Sequence, residues 1–151
     1  MSPATDVALG RTPDGRRVEV SRVIDTPVER AWEILTDTER WPDWGPTVTA
    51  AHADRRFVRT GTTGEIQVLD GPWIPFRITA CEEYRWTWDV ADVPATGHRV
   101  ESVAGERSRA VFELHPLAAG YAPVCSRALT NVESLVGGDR AADDEADVER
   151  A

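Results

Sequence analysis

From Arg17 to Asp25 apolar and polar positions alternate, with Val18, Val20 and Ile24 on one face, and this period of two predicts a strand. Arg22 falls on the same apolar face, so it needs a buried acidic partner or a place where that face opens to water. Thr26-Pro27 then signals a helix start, with Thr26 as expected N-cap, Pro27 in the first turn and Glu29 adding negative charge there. Val28, Ala31, Trp32 and Leu35 recur at helical spacing up to Asp37. The segment ERWPDWGP leaves room for one further short helical turn before Gly45 and Pro46. VTAAHADRRF and GTTGEIQVLDG follow as predicted strands, bounded by Gly61, Gly64 and Gly71.

WIPFRITACEEYRWTWDV carries the strongest strand pattern. Phe76, Ile78 and Ala80 alternate with Arg77, Thr79 and Cys81, and Trp86, Trp88 and Val90 with Arg85, Thr87 and Asp89. Asp92 to Gly97, with Pro94, is expected to be a turn. HRVESVA and SRAVFELH then predict a hairpin around Ala104-Gly105-Glu106, with His98, Val100 and Ser102 on one face and Ala110, Phe112 and Leu114 likewise. Leu117, Tyr121, Val124, Cys125, Ala128, Val132 and Leu135 form a stripe at spacings of three and four, predicting a long amphipathic helix from near Leu117 to Val136. Pro123 should kink this helix or start its main body, and Gly137-Gly138 should end it. Residues 1–16 read as a leader or loop, 17–138 as one domain, and 139–151 as a disordered acidic tail.

This order predicts an α+β fold, a curved antiparallel sheet of about six to seven strands wrapped around a long C-terminal helix. Two short helices follow the first strand. A helix cannot fill the whole concavity of such a sheet, so a cavity is expected between them. The stretch VEVSRVIDTPVERAWEILTDTERWPDWGP resembles the opening of START-like (SRPBCC) proteins, particularly the polyketide cyclase/dehydrase and lipid-transport family. Gly64, Arg85-Trp86-Thr87-Trp88, Gly97-His98 and the terminal helix come in the order that the resemblance implies. It implies a helix-grip fold whose cavity takes lipids, polyketides or other hydrophobic molecules; a few members are cyclases or aromatases.

Composition narrows the partners. The 151 residues carry 26 Asp or Glu against 17 basic residues, a formal net charge of −9. Every basic residue is arginine. An acidic balance disfavours nucleic acid and anionic membranes, both of which need a positive field. No apolar run is long enough to span a bilayer or to serve as a signal peptide, so neither stable membrane insertion nor export is expected. Cys81 and Cys125 are too few for a disulfide framework, and a reducing, cytoplasmic setting is the default. Net charge of this sign keeps halophilic proteins hydrated, and the absence of lysine fits the same adaptation to salt. Six acids and two arginines fall in 139–151, so the tail carries −4 of the total.

Candidate chemistry is sparse. The three histidines lie far apart, without HxH or HExxH spacing, and neither a metal nor another cofactor is expected. Neither a nucleophile elbow nor a phosphate loop is present. His52 is expected at the surface, His115 at a strand-to-helix corner, and Trp32 in ordinary core. Trp41, Trp44, Phe76, Ile78, Trp86, Trp88, His98, Tyr121, Cys125 and Leu129 are the candidate ligand contacts, aromatic or apolar as small-molecule sites tend to be. Trp41 and Trp44 are candidates for a gate at the mouth. His98, Arg77 or Tyr121 would orient a ligand, and Glu133 is expected to be exposed. The leading function is binding or carrying a hydrophobic small molecule (lipid, isoprenoid or polyketide-like). The alternatives are a metal-free cyclase or aromatase with His98 and Tyr121 as acid–base candidates, and a stress or interaction protein with an incidental cavity.

Overall fold

A computed structural model describes residues 5–150, and side chains up to residue 146. Its eight strands are β1 (Asp6–Thr12), β2 (Gly15–Ile24), β3 (Val48–Ala53), β4 (Thr63–Val68), β5 (Trp73–Glu82), β6 (Arg85–Val90), β7 (Val93–Val103) and β8 (Arg107–Leu114). They form one antiparallel sheet in the order β1-β2-β8-β7-β6-β5-β4-β3. Helices α1 (Val28–Thr36) and α2 (Trp41–Trp44), joined by a 3-10 turn at Thr38–Arg40, fill the link from β2 to β3. A second 3-10 turn, Pro116–Tyr121, leads into α3 (Ala122–Arg150). The α+β architecture expected from the element order, and the helix-grip fold that the resemblance implies, are therefore present, with α3 lying against β2 and β8.

Alternation places the core. Val18, Val20 and Ile24 of β2, Trp86 of β6, His98 and Val100 of β7, and Ala110, Phe112 and Leu114 of β8 are all buried on the concave face. Cys125, Ala128, Leu129, Val132 and Val136 of α3 close over them, together with Ala31, Ile34 and Leu35 of α1. Arg22 does find an acidic partner. Its guanidinium donates to Glu133 of α3 at 3.0 Å, so Glu133 is a half-buried ion-pair member, contrary to its expected exposure. Leu117, expected on the inward stripe, is 93% exposed, because the chain around it is a 3-10 turn ahead of α3. Pro123 sits in the first turn of α3 and so marks where the main helix begins.

Other expectations shift for local reasons. Pro27, not Thr26, holds the N-cap position of α1, and no side chain caps it. The turn expected at Asp92 to Gly97 shrinks to Ala91 and Asp92, whose φ values of 52° and 63° tighten it to two residues. Pro94 is tolerated in β7 because β8 joins that strand only from Gly97 onward. Strand β1 arises within the segment read as a leader. Val7 and Leu9 on it are exposed, so no buried face imprinted a period on the sequence. Residues 1–4 of that segment, and residue 151 of the expected tail, lie outside the described residues.

Helix α3 does not stop at Gly137-Gly138 but runs through Arg150, where a disordered acidic tail was expected. Arginines meet its carboxylates: Arg40 donates to both Asp139 oxygens at 2.7 and 2.9 Å, and Arg30 to Asp143 at 3.1 Å. Arg140 in turn donates to the Asp25 carbonyl. The cost of two helical glycines, about 1 kcal/mol each, is thus set against several ion pairs.

The convex face of the same strands is charged. Glu113 of β8 is only 2% exposed, yet Arg85 donates to both its oxygens, at 2.7 and 3.1 Å, and Arg99 to one at 2.9 Å. Arg85 also reaches Asp14, and Arg99 reaches Glu19 and Glu101. These carboxylates raise the arginine pKa values further, so the cations persist at any working pH. Gly97 leaves the room for Glu113: a Cβ there would stand 2.5 Å from its Oε1.

Candidate functional site

Two spaces lie between the concave face and the helices. The inner one, about 60 Å³, is bordered by Trp41 and Trp44 of α2, Trp86, Trp88, His98 and Phe112 of the sheet, and Cys125 and Ala128 of α3. That volume suits about four water-sized groups or one end of a larger molecule. The outer cleft, about 400 Å³, runs along Ile66, Val68, Val90 and Leu114 to Ala118 beside Tyr121. Thr47, Val48, Trp88, Thr96 and Tyr121 border both, and form the neck between them.

The tryptophans owe their places to strand and helix spacing. Trp86 and Trp88 are two apart on β6, and therefore project to one face. Trp41 and Trp44 share one turn of α2, and their indole N–H groups donate to the carbonyls of Leu35 at 3.0 Å and Ile34 at 3.3 Å. Those bonds tie both rings to the end of α1. Trp41 stacks on Trp86 with ring centroids 5.4 Å apart, and His98 stacks on Trp86 at 3.8 Å. Trp88 meets Trp86 edge-on at 5.5 Å. The result is a rigid aromatic wall.

His98, at 2% exposure, is no rim histidine. Burial pushes its pKa down to about 3; the Trp86 backbone acts the other way, and Arg85 adds a smaller lowering. The ring is neutral at physiological pH. Thr96 Oγ1 accepts from Trp88 Nε1 at 3.2 Å and lies 3.0 Å from His98 Nε2. Which of Thr96 Oγ1 and His98 Nε2 donates is set by the imidazole tautomer. Nδ1 of His98 and Nε1 of Trp86 are buried without a hydrogen-bond partner. At pKa 3 the imidazole is a poor proton acceptor near neutrality, and hydrogen bonding is the chemistry it retains.

The predicted residues divide accordingly. Trp41, Trp44, Trp86, Trp88, His98, Tyr121 and Cys125 come together around the inner space. Phe76, Ile78 and Leu129 are buried behind it; Phe76 backs Trp41 at 5.2 Å and Trp88 at 5.7 Å. Arg77 projects to the opposite face and is exposed, so it cannot orient a ligand here. Tyr121, 39% exposed, shares a hydrogen bond with Thr47 Oγ1 at 3.0 Å. Burial raises the Cys125 thiol to about 12, leaving it an apolar wall and not a nucleophile. His115 Nδ1 accepts from the Leu117 N–H and is structural, while exposed His52 stacks on Trp73. Trp32 packs edge-on against Tyr84.

Sequence reasoning missed Thr96, Thr47, Val48 and Phe112 as lining. Thr96 was legible as the same-face neighbour of His98 two residues on, once β7 is known to start before it. Thr47 lies in a loop and carries no pattern. Among the described residues no cluster of His, Cys, Asp or Glu is placed to hold a metal ion, and no helix is long and apolar enough to cross a membrane.

The chain belongs to the family described as polyketide cyclase / dehydrase and lipid transport, whose model matches residues 15–141. That family points to a hydrophobic-ligand-binding fold without naming a ligand. No curated protein matches the sequence. Among solved structures, protein Ms6760 from Mycobacterium smegmatis is 20% identical, with 89% of this chain and 99% of that one covered and a TM-score of 0.60. Protein NE0264 from Nitrosomonas europaea is 17% identical, covering 83% of this chain and 96% of that one at a TM-score of 0.62. CalU16 from Micromonospora echinospora is 20% identical over 95% of both chains, with a TM-score of 0.57. At such identities the likeness is one of fold.

Proposed function

We propose that this member of the polyketide cyclase / dehydrase and lipid transport family binds and carries a hydrophobic small molecule (a lipid, isoprenoid or polyketide-like compound). One end would lie in the aromatic pocket and the rest in the outer cleft. The observation that carries the reading is the junction of the two apolar spaces at a neck of five shared residues. Apolar ligand surface would supply the affinity, at about 25 cal/mol per Å² before ordering costs. Turnover by proton transfer is the weaker reading, since burial keeps His98 neutral and holds its pKa at about 3. Native mass spectrometry of the purified protein, followed by extraction, is the test. A reproducible adduct that disappears in Ala118→Trp, which narrows the outer cleft, is the expected result. Failure of the protein to retain or bind any member of a broad hydrophobic library would instead leave the cavity incidental.

A further inference from the structure

In a chain of which 28% is charged, neither space is bordered by a single Asp, Glu or Arg side chain. The polar side chains that border them are His98 in the inner space, His115 at the cleft, and the hydroxyls of Thr47, Thr96 and Tyr121 on the shared border, where Thr47 and Tyr121 hydrogen-bond to each other at 3.0 Å. From this segregation we infer that the site selects uncharged ligands carrying a hydrogen-bond acceptor part-way along their length, with apolar groups on both sides. The inference rests on the carrier reading and adds to it the chemical class of the cargo and the residues that choose it.

Three features converge. An ionised carboxylate or phosphate drawn into the neck would lose its water and find no counter-ion, a penalty larger than the benefit of burying the ligand's apolar part. Fatty acids and other ionised amphiphiles are thereby disfavoured, and the protein's net charge of −9 repels anions before they arrive. The hydroxyls also have a spare proton. Tyr121 and Thr47 share one hydrogen bond between two hydroxyl groups, so one O–H remains free to donate. Thr96 Oγ1 is already engaged by Trp88 Nε1 and His98 Nε2. The neck thus offers a donor from the Thr47–Tyr121 pair, which suits a ketone, ester or ether oxygen. Finally, the inner space of about 60 Å³ admits only one end of a ligand, so the remainder must pass the neck into the cleft. An acceptor at the molecule's extreme end would miss these hydroxyls.

A matched series tests this by titration calorimetry on the full chain. Benzophenone has a carbonyl between two rings, diphenylmethane lacks it, and diphenylacetate carries a carboxylate at the same carbon. Benzophenone should bind about tenfold more tightly than diphenylmethane, as one hydrogen bond provides, and about 100-fold or more tighter than diphenylacetate. In Tyr121→Phe with Thr47→Val the preference of benzophenone over diphenylmethane should fall to about one. A merely structural role for this pair would leave that ratio unchanged. Equal binding of benzophenone and diphenylmethane in the parent protein, or binding of diphenylacetate as tight as either, overturns this inference while the carrier reading stands. Failure of both uncharged probes to bind overturns this inference, whereas the carrier reading falls only when the broad hydrophobic library fails as well.

Discussion

The two faces of β6, β7 and β8 solve the problem of buried polarity in opposite ways. On the convex side Glu113 is buried as an anion, and every available oxygen meets a guanidinium. On the concave side, one residue away along each strand, His98 and Trp86 are buried uncharged, and each keeps a nitrogen without a partner. The first arrangement is closed and has nothing left to offer a ligand. The second avoids charge altogether and leaves unused hydrogen-bonding capacity beside empty space, which is what a binding site for a neutral molecule requires. Pairing is therefore complete around Glu113 and incomplete beside the inner space.

The sharpest way to break this contrast is Glu113→Leu. It would leave Arg85 and Arg99 facing each other without their common anion, and urea unfolding at neutral pH should show a loss of about 3–5 kcal/mol. The concave side should respond to acid instead. His98 is neutral when folded but binds a proton near pH 6.5 when unfolded, so below that pH the unfolded state holds the extra proton. Stability should therefore be complete above about pH 6.5 and fall by about 1.4 kcal/mol per pH unit below it, amounting to about 2 kcal/mol at pH 5. Subtracting the profile of His98→Gln isolates this component, and parallel profiles would contradict it. Gly97→Ala should cost about 1–2 kcal/mol, because its methyl group meets the Glu113 carboxylate on the convex side. The smallest effect belongs to Tyr121→Phe, with a change in thermal-unfolding stability of no more than about 0.5 kcal/mol, since the hydroxyl it removes is exposed. A large loss there would make Tyr121 a structural residue and weaken its place in ligand choice.

Legibility followed burial. Alternation in β2, β5, β6 and β8 was readable because one face of each strand is buried, and a slipped register would expose it. Strand β1, with Val7 and Leu9 exposed, obeyed no such constraint and left no pattern. The inner aromatic wall was legible for the same reason as the strands that bear it. Thr47 was not, because a loop residue acquires its role only from what folds against it. Nor was the partnership of Arg22 with Glu133, which lie 111 positions apart. The continuation of α3 past Gly137-Gly138 was hidden too, since local propensity argues for a stop and the arginines that favour continuation sit on α1 and the turn after it.

The sequence by itself determined the α+β class, the order of elements from β2 to α3 and the side of each central strand that turns inward. These follow from period and spacing, which act over a few residues. Only the tertiary structure decided that Glu113 is buried among arginines, that His98 lies inside and neutral, and that the Thr47 and Tyr121 hydroxyls from separate segments meet beside the inner space. Each of those depends on desolvation or on distances between segments remote in the chain, and no local pattern encodes either.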